Sequence, residues 1–491
     1  MSDQLAYQNA CDLISKLEQA EIGALELCDY YIKRIENIDT DINAVVVRDF
    51  ERARDAALVI DNLKQADKGP LFGLPLTVKE SFNIAGLPTT WGLEAFQNSI
   101  AEQDADVVQR YKRAGAVVLG KTNVPEDLAD FQSYNAMYGT TNNPWDTKRT
   151  PGGSSGGAAA ALAAGLTTLE TGSDIGGSIR NPAHYCGVYG HKPTWSVVPP
   201  LGHGLPGVLA APDIAVCGPL ARSAEDLALA MDIITGPETL RSSGWQLALP
   251  RPQKKQLRDY RVAVWMNDEQ SAVDGETQAI IENLADVLEK AGATVSFSAR
   301  PDIDVKRSHT TYMTLMHSIM GASASKNAYQ KSQLIASQLS ADDDSPAALI
   351  ARGMSATHRA WLQANNYREK LRYQWRDFFL DWDILLCPQM ATAAFEHDQN
   401  PKLSARTVMV DDQERSYFEQ IFWSGLTTTA YLPSTVFPAG RTQAKPAPGL
   451  PIGIQAVGAE YNDYLTIDFA RLVAEQIGGF TIPPNFVDKN G

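Results

Sequence analysis

The chain has 491 residues, enough for about three domains at roughly 150 residues each, which excludes a minimal disulfide scaffold. Apolar residues make up 44% and charged residues 21%, the balance of a chain that folds in water. With 43 Lys and Arg against 58 Asp and Glu, the formal charge is −15. That sign disfavours a nucleic-acid backbone or an anionic membrane as partner and leaves small molecules.

Five cysteines (Cys11, Cys28, Cys186, Cys217, Cys387) are scattered without a CxxC pair, so neither a disulfide framework nor a thiolate zinc site is suggested. Residues 1–14 mix Asp, Gln and Asn among apolar residues, unlike a signal peptide, and no run of 18 apolar residues occurs. A cytoplasmic location with no membrane span is expected.

In chain order, Leu25, Cys28, Tyr31, Ile32 and Ile35 recur at helical spacing over 24–36, and a strand follows at 44–47. Short apolar runs at 74–78 and 117–119 read as strands, the second after a helix that stops at Ala114-Gly115. Residues 156–164 form a close-packed alanine-rich helix ending at Gly165. A strand at 260–265, an amphipathic helix carrying Ile280, Leu284, Val287 and Leu288, and a strand at 295–297 continue the alternation.

Spacing over 299–380 is helical, and strands return at 384–386 and 451–457. The proline-rich stretches 199–219 and 438–451 read as loops. The expected fold class is α/β: one catalytic domain over 1–491, its large mixed twisted sheet covered on both faces by helices. Its parts are N-terminal helices to about 68, a core over 69–235, a mainly helical substrate-side region over 270–380, and returning strands over 381–460.

Chemistry concentrates in two glycine-rich turns, Pro151-Gly152-Gly153-Ser154-Ser155-Gly156-Gly157 and Thr171-Gly172-Ser173-Asp174-Ile175-Gly176-Gly177-Ser178-Ile179-Arg180. Glycine lets several backbone N–H groups converge on one point, as an oxyanion site demands. Ile175, Gly176, Gly177 and Ser178 are the natural donors. A serine nucleophile needs a base. Of seven histidines only His184 and His191 lie near these turns, and both read better as hydrogen-bonded packing residues. A lysine neutralised by burial can serve instead, and Lys79, closing the run Leu74-Pro75-Leu76-Thr77-Val78, is the candidate.

Three other motif readings fail. Gly152-Gly153-Ser154-Ser155-Gly156 matches the nucleophile elbow of α/β-hydrolases but lacks a preceding strand. Ser323-Ala324-Ser325-Lys326 matches S-x-x-K without the partner motifs of penicillin-recognising enzymes. A phosphate cradle would need a G-K-[ST] ending.

The two turns, with Cys186-Gly187-Val188-Tyr189-Gly190-His191-Lys192-Pro193-Thr194, Gly73 to Glu80, Gly120 to Glu126 and Gly218 to Arg222, resemble the amidase signature family, in the family's order along the chain. The resemblance implies a Ser–Ser–Lys mechanism: Lys79 as base, Ser154 as bridge, Ser178 as nucleophile. It places the oxyanion at residues 175–178 and makes Asp174 and Arg180 braces of the turn. It also sets Leu128 beside the substrate, with Phe131, Tyr134 and Met137 as companions.

The same resemblance implies hydrolysis of a small-molecule carboxylic amide to an acid plus ammonia or an amine, without metal or organic cofactor. A homodimer is the oligomer expected, with no nucleic acid or membrane. The alternative is the amidase-like subunit of a glutamyl-tRNA amidotransferase, which uses the same triad on glutamine. The segments 195–207 and 443–449 look unlike that subunit. Departures from the commoner family pattern at Glu80, Asn181, His191 and Trp195 bear on the substrate class.

Overall fold

The helix expected over 24–36 runs longer, Ala24–Ile42, with Leu27, Cys28, Tyr31, Ile32 and Ile35 buried on one face. Asn43 ends it in the left-handed region at φ 56°, and the Asp39 carboxylate accepts from the N–H groups of Ala44 at 2.7 Å and Val45 at 3.0 Å. The chain thereby turns directly into the strand Val45–Arg48. The structure, a computed structural model, describes residues 3–64, 67–340, 342–443 and 449–486.

Val45–Arg48 pairs antiparallel with Val117–Thr122, which pairs parallel with Pro75–Lys79, giving a three-stranded sheet separate from the main one. The main sheet has eight strands in the order Thr294–Ser296, Arg261–Val264, Ile384–Pro388, Pro451–Val457, Ser434–Arg441, Tyr189–Lys192, Val216–Ala221 and Glu170–Asp174. The first three are mutually parallel and every later neighbour pairs antiparallel. The sheet is therefore mixed, as expected, and helices flank it.

The two sheets meet at the strand that precedes Ser178. Thr77 N–H donates to Thr167 Oγ1 at 2.9 Å, and the Thr77 hydroxyl donates to Glu170 Oε1 at 2.6 Å. The alanine-rich helix Gly156–Ala163 is buried at every residue, and a Cβ on Gly157 would collide with the backbone of Asn123. Backbone contact of this kind is open only to glycine, and it ties the Ser154 turn to the end of the three-stranded sheet. The largest apolar cluster runs from Ala10 to Val473, so both ends of the chain share one core.

Among the described residues, 299–380 supply four helices, Val305–Ser323, Lys326–Gln338, Pro346–Met354 and His358–Asp381. Two expected loops are partly sheet. Residues 216–219 belong to the strand Val216–Ala221, and 438–441 to Ser434–Arg441. Gly218 and Pro219 disguise the first, where a glycine is required because a Cβ would collide with the His191 carbonyl. Pro438 disguises the second and sits at a register shift between Pro438 and Gly440, the place where a strand tolerates proline. Residues 444–448, within the second stretch and within 443–449, lie outside the described residues.

Candidate active site

Lys79 is the last residue of Pro75–Lys79, buried along its whole length, and its side chain is fully shielded from solvent. Its Nζ lies 2.7 Å from Ser154 Oγ and 2.9 Å from Ser173 Oγ. Burial pulls the amine down to about 7, against smaller opposing effects from Asp174, Cys217 and Glu170. Two of the nearby carboxylates are neutralised or engaged. Burial pushes Glu170 up to about 8, and Asp174 is paired with Arg180 at 2.9 Å. A lysine surrounded by hydroxyls rather than by free carboxylates gives up its proton near neutrality.

Ser154 is 1% exposed and follows a cis peptide bond from Gly153. Asn181 clamps that turn: Gly153 N–H donates to its Oδ1 at 3.0 Å, and its amide donates back to the Gly153 carbonyl. Asn181, one of the departures from the commoner pattern, thus has a structural task. Ser178 lies between Glu170–Asp174 and the helix Arg180–Cys186. Its carbonyl accepts from Ser155 N–H at 3.1 Å, which fixes the two serine turns side by side. Ser178 is 8% exposed, reachable by a small molecule where Lys79 is not.

The Asp174 carboxylate holds the Ser178 turn from within. It accepts from Gly177 N–H at 2.9 Å and Ile179 N–H at 3.1 Å, as well as from the Arg180 guanidinium at 2.9 and 3.0 Å. Burial raises its pKa, but Arg180, with help from Lys192 and the Ile179 N–H, outweighs this and the net direction is down. Arg180 in turn donates to Thr427 Oγ1 at 2.8 Å, Thr428 Oγ1 at 2.9 Å and Gln455 Oε1 at 3.2 Å. The pair is wholly buried, a brace and not a surface contact.

One expected donor is spoken for. Because Gly177 N–H is spent on Asp174, the four N–H groups read from the sequence narrow to those of Ile175, Gly176 and Ser178. Gly177 itself has φ 99°, and a Cβ there would collide with Ser424 Oγ and lie 2.7 Å from Gln389 Nε2. Gln389 donates to Ser424 Oγ at 2.7 Å, so these two side chains floor the turn.

Leu128 sits half-buried at φ 56° in the turn Glu126–Leu128 and belongs to none of the described apolar clusters. Phe131 does belong to one: it packs with Tyr185, Tyr312, Met390 and Ile421, and Ile175 of the Ser178 turn packs against the same group. Tyr134 instead meets Arg406. His184 lies between the carbonyls of Gly453 at 2.7 Å and Thr392 at 2.9 Å, and His191 between Thr435 and Asp463. Both are buried packing residues, as read from the sequence.

Sequence reasoning missed Ser173, Gln389, Ser424 and Tyr312. Only Ser173 carried a local signal, its place five residues before Ser178 on an alternating strand. The others come from elements more than 130 residues downstream.

The chain is 30% identical to fatty-acid amide hydrolase 2 of Homo sapiens, covering 99% of this chain and 92% of that one. It is 29% identical to a glutamyl-tRNA(Gln) amidotransferase subunit of Methylobacillus flagellatus, over 92% and 93%. A bacterial aryl acylamidase shares the fold, with a TM-score of 0.80 at 23% identity over 96% of each chain. The amidase family model matches residues 26–467, and the chain belongs to the amidase family.

Proposed function

We propose that this amide-hydrolysing enzyme splits a small-molecule carboxylic amide into an acid and ammonia or an amine through an acyl-enzyme on Ser178. The observation that carries the reading is a fully buried Lys79 amine, drawn down to about 7, 2.7 Å from Ser154 Oγ. A neutral amine there donates to Ser173 and keeps its lone pair for the Ser154 proton. As Ser178 Oγ attacks the carbonyl carbon, its proton passes to Ser154 Oγ and the Ser154 proton to Lys79 Nζ. The Ser178 hydroxyl reaches Ser154 as substrate seats, since catalytic hydrogen bonds tighten in the complex.

The N–H groups of Ile175, Gly176 and Ser178 face the oxyanion, each such donor being worth about 3–4 kcal/mol. The relay then runs backward: Lys79 returns the proton through Ser154 to the departing nitrogen, and the C–N bond breaks. Water activated by the same relay releases the acid and frees Ser178.

The acyl side favours an uncharged apolar group. Phe131, Tyr185, Met316, Met390 and Ile421 pack together beside Ile175. Arg368, stacked over Tyr431 of that cluster, is already held by both oxygens of Asp213 at 2.6 Å, leaving it unsuited to a substrate carboxylate. We further assign the protein to the cytoplasm, where buried thiols such as Cys28 and Cys217, whose pKa burial pushes up to about 12, stay reduced. Residues 1–491 then act as one catalytic domain that associates as a homodimer.

A panel of aliphatic amides, aromatic amides and L-glutamine, read by ammonia and amine release, tests this. Turnover of the apolar amides is expected, and Ser178→Ala should lower it about 10³-fold or more while the thermal transition persists. Retained turnover in that variant would remove Ser178 from the mechanism. Glutamine turnover that depends on a second subunit would favour the amidotransferase reading instead.

A further inference from the structure

Across 137 residues of sequence, the Tyr312 hydroxyl donates to the Ile175 carbonyl at 3.0 Å. Tyr312 is fully buried in the helix Val305–Ser323, and burial drives its phenol far above the ordinary range, so it remains a donor at any working pH. Its ring lies over Gly425 of the helix Ile421–Thr428, where a Cβ would collide with it. A Cβ at Gly176 would stand 3.4 Å from the Tyr312 oxygen. The ring therefore has one seat, and its hydroxyl ends on the backbone of the nucleophile turn.

A trans peptide is planar, with its C=O and the following N–H pointing in opposite directions. A hydrogen bond that holds the Ile175 oxygen therefore holds the Gly176 N–H as well. The next N–H, that of Gly177, is fixed by Asp174 at 2.9 Å. Gly176 lies between these two anchors, and glycine would otherwise rotate freely.

We infer that Tyr312 is a positioning residue for amide hydrolysis: by gripping the Ile175 carbonyl it aims the Gly176 N–H at the oxyanion. The inference rests on the acyl-enzyme reading of Ser178. Tyr312 touches neither the reacting atoms nor the proton relay. It acts by removing reorganisation of a dipole at the moment charge develops, which is where preorganised donors gain their strength.

The test compares Tyr312→Phe with a protein carrying 3-fluorotyrosine at 312, which fills the same space and keeps the donor. Rates are normalised to active sites titrated by the acylation burst, so loss of folded protein is not counted as loss of kcat. Tyr312→Phe should lower kcat about 10- to 100-fold with KM within about twofold, less than the 10²–10³ lost on deleting an oxyanion donor outright. Affinity for a trifluoromethyl ketone, which forms a tetrahedral adduct on serine, should fall by the same factor, while that for the matching alcohol stays level. The fluorotyrosine protein should keep wild-type kcat within about threefold.

A raised KM with unchanged kcat would make Tyr312 a ground-state binding residue and overturn the inference. So would equal losses in both proteins, which would mean packing, or wild-type kinetics in Tyr312→Phe. Retained turnover in Ser178→Ala would instead sink the acyl-enzyme reading, so the two failures are distinguishable.

Discussion

Two lysines on neighbouring strands of the three-stranded sheet are equally buried and differently employed. Lys79 and Lys121 are both fully shielded, and burial lowers both, to about 7 and about 8. Lys121 faces the Glu80 carboxylate at 3.8 Å, donates to Thr89 Oγ1 at 3.0 Å and donates to the Pro88 carbonyl. Lys79 has two hydroxyls within 3 Å, Ser154 and Ser173. Desolvation alone therefore does not make a base. What separates the two is the rest of their company: Lys121 is paired with a carboxylate, whereas Lys79 is bonded to hydroxyls, one of them on the turn beside Ser178.

The comparison breaks most sharply on substitution of Lys79. Lys79→Ala should abolish acylation, with kcat/KM down about 10⁴-fold, as when a member of a nucleophile–base unit is removed. Its folding should be no worse than wild type, because a buried amine is costly to desolvate. Stopped-flow acylation with a chromogenic amide, alongside a melting curve, checks both halves. Normal acylation near neutral pH would exclude Lys79 as the base.

Lys121→Met should do the opposite. Removing one partner of a buried pair leaves the Glu80 carboxylate with only its hydrogen bonds from Thr90 and Trp91 and costs about 3 kcal/mol, read as a shift in urea midpoint, while the kcat of the folded fraction stays near wild type. A loss of kcat matching that of Lys79→Ala would erase the distinction.

The pH profile sharpens the contrast further. Lys79, the proposed base, must be neutral to act, so kcat/KM should climb tenfold per pH unit below about 7 and level above it. The same depressed pKa has a sign in stability. Between about 7 and the ordinary 10.5 the unfolded lysine holds a proton that the folded one has lost, so this group's contribution to stability rises with pH across that window. Lys121→Met should keep the acid limb, since the limb belongs to the other lysine. A limb that moves with Lys121 would reassign it.

Much of this site was legible in the sequence because its first members are local. Glycine spacing around Ser154 and Ser178, and a lysine closing an apolar run, are patterns within a dozen residues. The strand Ser434–Arg441 was hidden by Pro438, whose tolerance depends on a bulge that only strand pairing reveals. Gly177 looked like an oxyanion donor because nothing local shows that Asp174 folds back on it. Leu128 lies in the expected segment, yet its backbone turn leaves it out of the apolar clusters while Phe131 enters one. Tyr312, Gln389 and Ser424 act through tertiary contacts alone, and no period or motif announces them.

Beyond Asp174, the Arg180 guanidinium finds its oxygen partners at Thr427, Thr428 and Gln455, nearly 250 residues or more after it is made. A nascent polypeptide that has left the ribosome through the helix Arg180–Cys186 already carries both serines and Lys79, but holds a cation with only one of its acceptors to receive it. Under the proposed mechanism, competence for chemistry therefore waits until residues 427–455 reach Arg180, and a shortened product ending before them is expected to be inert although it carries Lys79, Ser154 and Ser178.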